Sequence, residues 1–134
     1  MVNTDTASML HIKESRKSIQ EIENLFPNIA SKYKFGVLGV HNLKQKMADK
    51  GVAFEKDCLI FEVCNPQQAK KVLEANMEIS TALPCRVSVY TDNGKTKIAT
   101  IKPTALIDAF KNPELKLVAE EVERSLVNII GELV

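Results

Sequence analysis

Three cysteines and two histidines hold the reactive side chains of this chain, and their immediate neighbours set what each can do. Cys64 directly precedes Asn65-Pro66, a preferred helix N-cap followed by a proline suited to the first helical position. A thiol beside the positive end of a helix dipole is placed to favour its thiolate, the form that attacks electrophiles and binds soft metals. Cys85 follows Pro84 at the start of a β-rich run, and Cys58 opens another run with no motif around it. A plainer role stands beside the reactive one for each thiol, because free cysteine also behaves as a small buried hydrophobe.

Two further arrangements would need these groups to meet in space. A soft-metal site wants deprotonated sulfur or neutral imidazole, and Cys64, Cys85 and His41 supply three such ligands. A cysteine nucleophile wants a base within hydrogen-bond reach, which would be His41 beside Cys64. Both depend on strand direction. Parallel strands ending at His41 and Cys64 would bring the two to one sheet edge, and antiparallel strands would separate them. His11 reads as a half-exposed strand residue. Arg86, on the exposed side of its strand with Ser88, Tyr90 and Lys97, offers an anion contact or simply a solvated face. The candidate ligand-binding positions are thus Cys64, Asn65, Pro84, Cys85 and His41, with no cofactor assigned and the choice between enzyme and binding protein open.

The elements that must position these residues are legible from spacing. Met9 to Lys13 reads as a strand. Ser18 with Glu21 forms a capping box for a helix bearing Ile19, Ile22, Phe26 and Ile29, which Pro27 is expected to kink or restart. Lys34 to His41 reads as a strand, Asn42 as the cap of a short helix, and Gly51 as its left-handed end. Cys58 to Cys64 alternates as a strand, and Asn65 with Gln68 reads as a capping box for a helix bearing Ala69, Val72 and Leu73.

Cys85 to Thr91 and Lys95 to Ile101 flank Asn93-Gly94, the strongest short hairpin signal. That turn sets Val89 opposite Ile98 and Val87 opposite Thr100, so Cys85 shares their inward face. Thr104 to Phe110 reads as a short helix. Asn112-Pro113 reads as cap and first turn of a last helix bearing Leu115, Val118, Val122, Leu126 and Ile129. Its Glu120, Glu121, Glu123 and Arg124 form a solvated polar side, while Leu117, Ile130 and Leu133 widen the apolar stripe enough to suggest burial against a second subunit.

The bulk numbers narrow the field. At 134 residues the chain is the size of one domain, 1–134, with 1–8 expected to be flexible and no repeat or linker to divide it. Eighteen basic residues against seventeen acidic ones leave +1, so nothing in the charge favours a nucleic acid or an anionic membrane. No apolar run approaches the ~20 residues of a membrane span, and Met1 to Leu10 lacks the pattern of a signal peptide. A soluble cytoplasmic protein is expected. Three cysteines without CxxC spacing suit neither a disulfide scaffold nor structural zinc.

Phe35-Gly36-Val37-Leu38, Val63-Cys64-Asn65-Pro66, Leu83-Pro84-Cys85-Arg86-Val87 and Ile101-Lys102-Pro103-Thr104, taken together and in this order, resemble the family catalogued as domain of unknown function 302, over roughly 9–130. The resemblance implies an α+β fold: a single twisted antiparallel or mixed sheet of about five strands, helices mainly on one face, often as a homodimer, with no agreed activity. The expected partners are therefore a second copy of the chain and a small ligand or metal ion. The leading expectation is a small-ligand or metal- and thiol-reactive binding module using Cys64 with Cys85 nearby, against a thiol-dependent enzyme with Cys64 as nucleophile or a purely structural dimerisation domain.

Overall fold

The computed structural model describes residues 9–134, and the expectation for residues 1–8 lies outside them. Five strands, β1 (Leu10–Ser15), β2 (Gly36–Asn42), β3 (Cys58–Cys64), β4 (Cys85–Asp92) and β5 (Lys95–Ile101), form one open sheet in the order β1-β5-β4-β3-β2. Every neighbouring pair is antiparallel. The helices are α1 (Ile19–Lys32), α2 (Leu43–Asp49), α3 (Pro66–Ala75), α4 (Pro103–Phe110) and α5 (Lys116–Leu133), with 3₁₀ turns over Met77–Ala82 and Pro113–Leu115. This is an α+β fold.

Alternation decides which side of the sheet is buried. Leu59, Phe61 and Val63 of β3, Val87 and Val89 of β4 and Ile98 of β5 point to one face, where α1 and α5 cover them with Ile22, Phe26, Leu126, Ile129, Ile130 and Leu133. Phe26 and Phe61 stack with ring centroids 4.1 Å apart, locking α1 to the sheet centre. A second, smaller cluster of Val72, Ile79, Ile107, Leu115 and Ala119 joins α3, α4, the first 3₁₀ turn and the start of α5. Val118 packs against both clusters. The chain therefore has two packing centres that meet at one end of the sheet.

Local signals set most boundaries. Ser18 and Glu21 make the reciprocal capping box of α1, and Asn42 and Asn65 accept from the backbone N–H groups of Gln45 and Gln68. Asn93 and Gly94 both take positive φ, 53° and 76°, as a tight hairpin turn with the strands' own twist requires. The resulting ladder pairs Val89 with Ile98 and Val87 with Thr100.

Four sequence expectations need correction. Pro27 does not restart α1, which runs as one helix from Ile19 to Lys32. Pro27 and Glu23, whose carbonyl loses its N–H partner, both lie on the solvent side, while Ile22, Phe26 and Ile29 hold the helix against the core. Gln68 gives its backbone N–H to Asn65, yet its side chain reaches Glu121 in place of closing a capping box. Asn112 caps nothing: its side chain accepts from Asn76 at 2.8 Å and donates to Glu114 at 2.7 Å, and the segment after it is a 3₁₀ turn before α5 begins. Ile130 and Leu133 are fully buried in this chain's own core, so they offer no stripe to a partner, and only Leu117, 74% exposed, remains outside. Among the described residues no helix is long and apolar enough to cross a membrane.

Candidate functional site

A cavity of about 300 Å³ lies where the two packing clusters meet. Its floor is the end of the β3–β4 ladder, with Val63, Cys64 and Cys85. One wall is α3, whose Asn65 cap and first-turn proline fix the helix start so that Gln68, Ala69, Val72 and Leu73 face inward. The 3₁₀ turn and the segment after it add Ile79, Ala82, Leu83 and Pro84, across a cis Leu83–Pro84 peptide bond. Pro103, Leu106 and Ile107 of α4 and Val118, Ala119 and Val122 of α5 close the far side. Leu38, 65% exposed, and Phe35 stand beside β2 at the rim. No charged side chain lines the cavity among the described residues.

Of the five candidate positions, Cys64, Asn65, Pro84 and Cys85 meet at this cavity, and His41 does not. The two thiols arrive from neighbouring antiparallel strands, with Cys85 directly opposite Val63 and Cys64 next along β3. Both are partly buried free thiols. Burial pushes the Cys85 thiol up to about 11, and the Cys64 sulfur beside it adds to the rise. Cys85 is therefore a neutral, apolar element of the wall at ordinary pH. Asn65 has committed its side-chain oxygen to the N–H of Gln68.

His41 sits opposite Ile60 across the antiparallel β2–β3 pair, while Cys64 sits opposite Gly36. Four residues of strand, about 13 Å, separate the two levels. His41 instead meets Glu62 on the sheet face away from Phe61 and Val63: its Nε2 lies 2.6 Å from Glu62 Oε1 and its Nδ1 lies 2.7 Å from Lys46 Nζ. The His41 hydrogen bond, then the charges of His41, Arg86 and Lys46, hold the Glu62 carboxyl below its usual range. Arg86 Nε is 3.8 Å from Glu62 Oε2, so its contact is this carboxylate. Among the described residues no three His, Cys, Asp or Glu side chains converge as metal ligands. His11 is half-buried on β1, where burial and then Lys13 and Lys102 lower its pKa.

Gln68 is the site residue that sequence reasoning placed elsewhere. Its spacing from Asn65 accounted for it as a cap, and nothing local announces that its amide turns to Glu121, 53 positions away. Glu121 and Glu123, read as merely solvated, both hold partners: Glu123 accepts from the backbone N–H and hydroxyl of Thr104 at 3.1 and 2.7 Å. These bonds tie α5 to the starts of α3 and α4, two walls of the cavity.

An open antiparallel sheet, helices mainly on one face and an apolar chamber at the sheet end define a small α+β protein with a built-in cavity. The sequence profile named Domain of unknown function DUF302 matches residues 11–133, and the chain belongs to that family. The crystal structure of an uncharacterized conserved protein DUF302 from Bacillus stearothermophilus is similar to this one, with a TM-score of 0.89 and 32% identity over 94% of this chain and 98% of that one. Among curated proteins, no sequence matches this chain.

Proposed function

We propose that this protein is a binding module for a small, uncharged, largely apolar molecule held in the cavity between its two packing clusters. The observation that supports the reading most is the chamber itself: about 300 Å³ lined, among the described residues, without a charged side chain. The chamber is open to solvent at its rim, so a ligand that covers its apolar wall gains about 25 cal/mol for each Å² removed from water. Sites of this kind, concave and mostly apolar with a few polar groups, are where small molecules bind.

The thiols fit this reading as soft, neutral parts of the wall. A ligand with affinity for sulfur would meet Cys64 at the floor. Catalysis by Cys64 has less behind it, since the imidazole expected to serve as base lies four residues away along the β2–β3 ladder and is held by Glu62 and Lys46. Self-association of the chain remains part of the proposal, with a surface other than Ile130 and Leu133.

Titration with the neutral fluorophore N-phenylnaphthylamine tests the reading. Saturable enhancement, displaced by an apolar competitor, is the expected result. A flat titration, with the protein folded, would remove the proposal's support.

A further inference from the structure

Gln68 carries a polar atom whose position in the wall has no structural use. Its Nε2 donates to Glu121 Oε2 at 2.9 Å, which fixes the amide's orientation because a carboxylate accepts only from the nitrogen. The other end, Oε1, is buried, and no donor among the described residues reaches it. Buried carbonyl oxygens are nearly always paired, and leaving one unpaired is costly. Of the other side-chain acceptors in the wall, Asn65 Oδ1 already takes the Gln68 N–H, and Cys64 and Cys85 offer only weakly accepting sulfur.

Resting on the cavity reading above, we propose that the ligand carries one hydrogen-bond donor on an otherwise apolar body, and that Gln68 Oε1 selects for that donor. Glu121 is the positioning residue. It lies outside the lining and is exposed, so selection requires only that its carboxylate move with the Gln68 amide as a small rotation turns the buried Oε1 toward the chamber. Such a rotation is cheap, because the terminal torsion of glutamine has a broad minimum. The selection is for a hydroxyl or an N–H such as an alcohol, a phenol or an azole presents. An anion would meet the carbonyl dipole and no cation.

Indole and indene, alike in shape and differing by the N–H, test this by amide NMR titration of the full chain. Native protein binds indole about 5- to 20-fold more tightly than indene, with the shifted amides at Ala69, Val72 and Leu106. Gln68→Met, which keeps the shape of the side chain, still binds indene and loses the preference. Glu121→Gln frees the amide to turn and reduces the preference while indene binding persists. Equal affinity of native protein for both probes overturns the selection by Gln68 and leaves the cavity reading standing. No shift of the cavity amides with either probe overturns both. A Gln68→Met variant that is folded, as its melting shows, yet still prefers indole also overturns the selection.

Discussion

Cys85 stands directly opposite Val63 in the β3–β4 ladder, so its thiol shares the core-facing side of the sheet with a fully buried valine. The same pairing brings Cys85 beside Cys64 at the floor of the cavity, from a neighbouring strand.

That position predicts slow alkylation of Cys85. With the folded thiol raised from 9.0 to about 11, iodoacetamide near neutral pH modifies Cys64 well before Cys85, and all three cysteines react alike in denaturant. Peptide mass mapping over time reads the order. Equal rates for Cys64 and Cys85 in folded protein would contradict the burial of Cys85.

The same thiol gives a stability trend with pH. Below about 9 both folded and unfolded thiols are protonated, and no difference arises. Between 9 and about 11 the unfolded thiol ionises and the folded one does not, so the unfolded state binds fewer protons and stability falls as pH rises. Denaturant unfolding across that window should show a loss on the order of 2 kcal/mol, absent in Cys85→Ala. Cys85→Ala itself is expected to cost about 1 kcal/mol of lost core contact at neutral pH.

The cap of α3 holds one wall. Asn65→Ala removes the acceptor for the Gln68 N–H and should lower stability by about 1 kcal/mol, read as a shift in the denaturant midpoint at unchanged slope. Because the cap fixes where Gln68 and Ala69 stand, apolar probe binding should weaken in the same variant.

On the opposite face of the sheet, His41 holds the Glu62 carboxyl below its usual range through their 2.6 Å contact. A depressed carboxylate adds stability that is present above its ordinary pKa and is lost as pH falls through the folded value. The pair is partly exposed, so the effect is small. His41→Ala should raise the Glu62 pKa toward the ordinary carboxylate range, measured by side-chain carboxyl NMR, while leaving probe binding in the cavity unchanged. Loss of cavity binding in this variant would contradict the separation of the two sites.

Much of this architecture was written in short spacings. Ser18 with Glu21, Asn42, Asn65 and Asn93-Gly94 each specify a boundary through contacts within a few residues, and the hairpin turn alone fixed the register that aims Cys85 inward. What the sequence withheld depends on distant partners. Pro27 reads as a break until the solvent exposure of its face is known. Asn112 reads as a cap until Asn76, 36 positions away, proves to be its partner. The cavity had no local signature at all. It arises because two apolar clusters, the first read from strand alternation and helix stripes and the second only in part, since Ile79 and its 3₁₀ turn had no reading, leave a gap where α3 and α4 lean against the end of the sheet. The meeting of Cys64 and Cys85 could be suspected from their motifs, but the separation of His41 followed only from the antiparallel β2–β3 pairing.

Binding in the cavity is tested most directly by filling it. Ala69 lies on the α3 wall, and Ala69→Leu puts added methyl groups into the chamber. Titrated with N-phenylnaphthylamine beside the native chain, this variant should stay folded, melt at the same temperature or higher, and lose the saturable fluorescence enhancement that the native protein shows. Undiminished probe binding by folded Ala69→Leu would contradict the account.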